Sequence, residues 1–189
     1  MTTPAAQSDD ARERIRLAAL ALFNRRGYSD VGMAEVAAKA AVSKGLLFHH
    51  FGSKAGLLCS LVDPLLPAYQ RLLDQVAQVA DPRERLATAL RAHLDFVRAH
   101  ESTFGFVVRH AAELAEHEPV VELAALGRRL EALVTAPDAD PAARARMRVA
   151  FLGTLYAWLE LRSDADAIVE AGLAAVGPTG ADEESLRGR

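Results

Sequence analysis

MAEVAAKAAVSKGLLFHHFGSK, running from Met33 to Lys54, is the stretch on which the reading of this chain turns. Met33, Val36 and Ala37 recur at helical spacing while Glu35 and Lys39 point the other way, which predicts a short amphipathic helix. Ala40-Ala41-Val42 then makes a corner of small residues where two helices can cross without side-chain collision. Ser43 is placed as an N-cap, because its hydroxyl can accept from the free N–H groups of the next turn. The second helix, Ser43 to about His50, is too short and too poor in apolar residues to stand alone. It turns Leu47 and Phe51 back and carries Lys44, His49 and His50 outward. An apolar back and a basic front on a short helix suit insertion into a DNA major groove. The stretch reads as a helix-turn-helix.

Ser43-Lys44-Gly45-Leu46-Leu47-Phe48-His49-His50-Phe51-Gly52-Ser53-Lys54 resembles the recognition helix and exit of TetR-type (tetracycline-repressor-like) transcriptional regulators, whose pattern there runs S-x-G-x-L-Y-x-H-F-x-S-K. Upstream, Arg14-Ile15-Arg16-Leu17-Ala18-Ala19, Leu22-Phe23 and Gly27-Tyr28 resemble that family's first helix and the turn closing it. The matches cover the first third of the chain. Two positions depart from the pattern. Phe48 stands where the family carries an aromatic alcohol, so a hydroxyl able to bond phosphate is missing; Gly32 replaces the Thr or Ser that opens the second helix and can cap by backbone only. The resemblance implies an all-α fold, with a three-helix DNA-binding domain over residues 1–53 and a helical ligand-binding and dimerisation domain over 54–189. It also implies a DNA-facing set of Gly32, Ser43, Lys44, Gly45, Leu46, Phe48, His49, His50 and Lys54. Lys44 can donate to guanine O6 or N7, or it can simply be a solvated lysine at a helix start. Leu46 cannot hydrogen-bond but can touch a thymine methyl. His49, His50 and Lys54 are expected at phosphates, by analogy with the matching family positions.

The rest of the chain agrees. Of its 189 residues 51% are hydrophobic, Ala and Leu are abundant, and no alternating β-branched run occurs, so helix is expected throughout. No window approaches the roughly 18 apolar residues of a membrane span, and MTTPAAQSDDARER lacks the apolar core of a signal peptide. Cys59 is the single cysteine, which excludes an internal disulfide and offers no zinc pattern. A cytoplasmic protein is expected. The net charge of −3 divides into +3 over residues 1–60 and −6 beyond, and all three lysines lie at or before Lys54. A basic head on an acidic body fits a protein that presents one end to DNA.

In chain order, residues 1–9 are expected to be disordered and a first helix to run from Asp10 to Arg26, closed by Gly27. A fourth helix, capped by Ser53, should run from Lys54 to about Ala80, with a kink or break near residues 63–67 caused by Pro64 and Pro67. Asp81-Pro82-Arg83-Glu84 is a strong start for a fifth helix reaching His100. Further helices are expected over 101–117, 119–134, 141–162 and from Ser163 or Asp164 to Val176, followed by a polar, mobile tail. VAFLGTLYAWLEL, residues 149–161, is apolar almost all round. Phe151 and Trp158 can meet the chain's own core; Leu152, Tyr156 and Leu159, like the stripe Ile168, Val169, Gly172, Leu173 and Val176, need another cover. TetR-like proteins dimerise through their last two long helices, so a two-fold partner is the expected cover, with a larger internal core as the alternative.

The body shows no ligand signature beyond apolar material with scattered polar groups. Tyr69, His93, Phe96, Phe104, His110, Tyr156 and Trp158 are the candidate lining of a pocket for an apolar small molecule, although a histidine on an apolar stripe is more often a satisfied core residue. His110, Glu113 and His117 share one helix face, yet the rest of a metal sphere is missing, so no metal or cofactor is expected. No phosphate loop or nucleophile elbow points to an enzyme. The resemblance therefore implies a homodimeric regulator bound to a pseudo-palindromic operator in double-stranded DNA, releasing it when a ligand enters the body. A helical small-molecule-binding protein that no longer binds DNA is the alternative, fed by Phe48 and Gly32, and a salt-dependent shift with promoter DNA separates the two.

Overall fold

Gly27, Ser43, Gly52 and Ser53 cut the N-terminal part of the chain into four helices, α1 (Pro4–Arg26), α2 (Met33–Lys39), α3 (Lys44–Phe51) and α4 (Lys54–Val62). The computed structural model describes residues 4–161 and 164–176. Gly27 ends α1 at φ +87° and donates its N–H to Phe23 O at 2.9 Å. Gly52 ends α3 at φ +68° and donates to Phe48 O at 2.8 Å. Both occupy the left-handed conformation that costs a glycine nothing. Ser43 and Ser53 cap α3 and α4, their hydroxyls accepting from Leu46 N–H at 3.1 Å and Gly56 N–H at 3.0 Å.

The remaining helices are α5 (Leu65–Ala77), α6 (Pro82–Ala99), α7 (Glu101–Arg109), α8 (Ala111–Leu114), α9 (Glu118–Val134), α10 (Pro141–Leu161) and α11 (Ala165–Val176). No strand occurs among the described residues. The helices group into two compact units, residues 4–66 with 102–123, and residues 67–101 with 124–161 and 164–176 among those described. In the first, α1 packs on α2, α3 and α4 through Ile15, Ala19, Leu22 and Phe23, with Val36, Ala37, Leu47, Leu57 and Leu58 opposite. Phe106 of α7 stacks on Phe23 at 5.6 Å between ring centroids. In the second, α6, α10 and α11 pack on one another around Leu90, Leu94, Phe151, Leu155, Ile168 and Val169. A Cβ on Gly172 would stand 3.0 Å from the Thr154 methyl, so α11 crosses α10 at close range.

The expected break falls at Asp63-Pro64, and the single helix expected over 54–80 is α4 plus α5. Pro64 cannot donate to the turn before it, whereas Pro67 sits in the first turn of α5, where its missing N–H has no partner to lose. Three expectations are corrected. The first helix starts at Pro4 rather than Asp10, so residues 4–9 are helical; residues 1–3 of the expected disordered segment lie outside the described residues, as does the tail after Val176. The helix expected over 101–117 stops at His110, whose φ of −111° and ψ of 21° separate α7 from α8. The stripe on α11 needs no outside cover for Ile168, Val169 and Gly172, because α6 and α10 bury them.

Two backbone positions in the first unit carry opposite predictions. Ala41 holds φ +53°, a left-handed conformation costing an alanine roughly 1–2 kcal/mol, against roughly 0.5–1 kcal/mol of extra chain entropy for glycine. Ala41→Gly should therefore raise unfolding stability slightly, by up to about 1 kcal/mol. A Cβ on Gly56 would lie 2.1 Å from the Phe51 carbonyl oxygen, a backbone atom that cannot swing aside. Gly56→Ala should cost about 3 kcal/mol or more, and chemical denaturation of the two variants checks both signs.

Candidate nucleic-acid interface

Two buried side chains orient α3. Leu47 is fully buried and Phe51 nearly so, which leaves Lys44, Gly45, Leu46, Phe48 and His49 exposed. The Ser43 cap spends its hydroxyl on the helix start, so its contribution here is to shape. Gly32 opens α2 at φ −87° and ψ 148° with no side-chain cap, as its missing hydroxyl dictates. The two histidines differ. His49 is exposed and meets His50 edge to face at 5.7 Å, whereas His50 is half-buried with Nε2 inside the protein and no hydrogen-bond partner for it among the described residues.

Lys54, expected at a phosphate, also makes contacts within the protein. Its ammonium donates to Ser29 O at 3.1 Å and lies 4.5 Å from the centre of the Tyr28 ring. The first turn of α4 is thereby tied to the turn between α1 and α2. Partial burial lowers the Lys54 pKa despite the nearby Glu113, Asp30 and Glu35 carboxylates. One of three ammonium donors is used on Ser29, which leaves two.

The other side of that turn is held by Glu113, which the sequence places on one helix face with His110 and His117. The Glu113 carboxylate on α8 accepts from Tyr28 N–H at 3.2 Å and from Ser29 N–H. His110 Nδ1 lies 3.3 Å from the same carboxylate, and the His117 ring meets Tyr28 edge to face at 5.1 Å. The face shared by His110, Glu113 and His117 grips a backbone turn, and the break at His110 lets it do so; no metal-binding cluster occurs among the described residues. Gly27 fits the arrangement, since a Cβ there would stand 3.4 Å from Glu113 Oε2. Nothing local in the sequence announces this contact, because Glu113 and Ser29 are 84 residues apart.

Tyr69, His93 and Phe96 meet in a closed cluster of the second unit. The Tyr69 hydroxyl lies 3.3 Å from His93 Nδ1, the Phe96 ring is 4.8 Å from Tyr69, and Phe151 is 5.5 Å from His93. Burial drops the His93 pKa from 6.5 to about 4, so the imidazole is neutral at pH 7, and burial also raises that of Tyr69. Phe96 is the floor of an open cleft of about 460 Å³ between α5 and α6, with Arg71, Arg91 and His100 on its rim. Trp158 donates its indole N–H to Glu101 at 3.3 Å beneath the Arg98 guanidinium. Tyr156 is exposed. Phe104 and His110 belong to the first unit, Phe104 in its core and His110 against Glu113.

The grip of Glu113 carries a pH signature. Its pKa is lowered from 4.5 chiefly by the Ser29 side chain, then by the Ser29 and Tyr28 N–H groups and His110, against a smaller opposing effect of burial. A carboxyl whose folded pKa is depressed adds stability that is present above its unfolded value and lost as pH falls through the folded one. Glu113→Gln should therefore be less stable than the native chain at about pH 7, and the gap should close as pH falls below about 4.5. Denaturation midpoints across that range check the effect.

The tetR family of bacterial regulatory proteins matches residues 15–61. The chain is 37% identical over 98 residues to the transcriptional activator FasR of Mycolicibacterium smegmatis, a match covering 50% of this chain and 43% of FasR. It is 29% identical over 165 residues to the transcriptional repressor KstR of Rhodococcus jostii, covering 82% of this chain and 76% of KstR. In several such matches the chain spans about half the length of the curated relatives. The regulator AibR, solved with isovaleryl coenzyme A and operator DNA, shares the fold with a TM-score of 0.67 at 21% identity, over 89% of this chain and 98% of that one. No helix among the described residues is long and apolar enough to cross a membrane. With a helix-turn-helix inside the matched segment and an all-helical chain around it, the protein resembles regulators of the TetR family in that segment and in its fold.

Proposed function

We propose that the chain is a DNA-binding transcriptional regulator of the cytoplasm, a repressor that releases its operator when a small molecule binds its helical body. One observation carries this reading. α3 is capped by Ser43, anchored by Leu47 and Phe51, and leaves Lys44, Leu46, Phe48 and His49 in solvent. Such a helix presents side chains to a major groove and has little else to do. Residues 1–53 are assigned to DNA binding and 54–189 to ligand binding and dimerisation, a division by task; the compact units divide the chain differently. On this reading Lys44 donates to a guanine edge and His49 meets a phosphate. Gly32, Gly45 and Ser43 let the backbone come close, and His50, with Nε2 turned inward, supports the helix. Lys54 offers its two remaining donors to phosphate while holding Ser29. The runner-up, a binding protein without an operator, gains no support from α3, which keeps its outer face free.

Dimerisation is proposed through α10 and α11. Val149, Leu152 and Tyr156 are 61%, 46% and 47% exposed and recur at helical spacing along α10. A second copy related by a two-fold axis would bury this stripe and set two α3 helices to matching half-sites. KstR is described as a repressor and AibR was solved with both an acyl-coenzyme A and operator DNA, which supports a ligand-responsive mechanism here. We place the ligand beside the closed Tyr69–His93–Phe96 cluster, where opening the packing would admit an apolar group. A ligand preferring the opened conformer shifts the population away from the one that fits DNA.

Two measurements test the proposal. Lys44→Ala should cost about 1–3 kcal/mol on the operator and blur one base position, whereas Lys54→Ala should weaken all sequences alike and reduce the salt slope by roughly one ion per subunit. Because Lys54 also holds Ser29, its variant should melt lower as well; equal losses on every sequence for both would move Lys44 to phosphate. Light scattering should give a dimer at micromolar concentration for the native chain and a monomer for Leu152→Asp, since the carboxylate would be buried without a partner. A native monomer would remove the α10 interface.

A further inference from the structure

The outer surface of α3 carries two side chains that a basic DNA-binding face does not explain. Leu46 is 36% exposed and Phe48 is 45% exposed. With about 3.6 residues per turn, Leu47 and Phe51 mark the buried side of the helix and Gly45 with His49 lie opposite. Lys44 and Phe48 form one flank, and Leu46 with His50 forms the other. The remaining large apolar residues exposed among the described ones lie elsewhere, Leu17 on α1, Val121 on α9, and the others on α10. Leu46 and Phe48 thus form an apolar pair confined to the helix assigned to DNA.

Neither side chain has a donor or acceptor, so neither can read a base by hydrogen bonding or hold a phosphate. In the major groove the apolar feature of a base edge is the C5 methyl of thymine. Gly45 favours such a contact. A Cβ there would meet only the Ser43 hydroxyl oxygen at 3.9 Å, and the residue is not in the left-handed region, so neither packing nor backbone conformation demands glycine. Its bare position on the outermost side lets base edges approach the helix closely, within reach of the short Leu46 side chain. We propose that Leu46 and Phe48 read thymine methyl groups in each half-site, so that apolar contact supplies base discrimination alongside Lys44. The inference rests on the assignment of α3 to the major groove.

The test uses the full-length protein and an operator selected from random-sequence duplexes by repeated rounds of binding. Each thymine is then replaced in turn by deoxyuridine, which removes the methyl and leaves pairing intact. At one or more positions in each half-site affinity should fall about fourfold, the worth of one buried methyl. The same replacement should cost nothing to Leu46→Ala at the position Leu46 reads, and nothing to Phe48→Ala at the other. Both side chains are exposed, and unchanged melting temperatures would confirm that the variants fold. An operator that binds equally well with every thymine replaced overturns the inference while leaving the DNA-binding reading in place. So does a uracil penalty that persists undiminished in both variants. Failure of the native protein to enrich any sequence overturns the DNA-binding reading itself, and this inference with it.

Discussion

Burial of Leu47 and Phe51 is the constraint on which the rest of the N-terminal unit depends. α3 has eight residues, well below the length at which an isolated helix persists in water. Its nucleation cost is offset by tertiary contact, with each of these side chains contributing about 1.5–3 kcal/mol on leaving water. The same two contacts fix the rotation of the helix. Once Leu47 and Phe51 point inward, Lys44, Leu46, Phe48 and His49 have no choice but to face out. Stability and presentation are one event on this helix, which is why the close approach at Gly56, beneath the Phe51 carbonyl, matters to function as much as to folding.

A second layer of order comes from charge. The turn between α1 and α2 exposes backbone N–H groups and a carbonyl with no helix to satisfy them. Glu113 takes the N–H groups of Tyr28 and Ser29, and Lys54 takes the Ser29 carbonyl. Both charged groups thereby bond backbone, where ionised partners make the stronger hydrogen bonds. A lysine and a glutamate that look like surface charges in the sequence are struts in the fold. His110 and His117 complete the same grip rather than a metal site, since one faces the carboxylate and the other the Tyr28 ring.

The second unit shows a different economy. Its one strongly perturbed histidine, His93, is neutral at pH 7 and hydrogen-bonded to Tyr69 among aromatic rings. A buried polar pair of this kind costs little while satisfied and much when separated.

By itself the sequence determined the helical class, the helix-turn-helix, both serine caps and the break at Pro64, because each follows from periodicity or from the chemistry of one residue and its near neighbours. It also pointed to Leu47 and Phe51 as core, since they lie one helical turn apart on the apolar back of α3, while Phe48 could face either way. It could not place Glu113 beside Ser29, turn Lys54 onto a carbonyl, or draw His50 inward, since those contacts join residues far apart in the chain or depend on packing. Nor could it tell that Ile168, Val169 and Gly172 are covered within the chain while Leu152 and Tyr156 are not. An apolar stripe records that a surface must be buried. Only the tertiary structure decides against what.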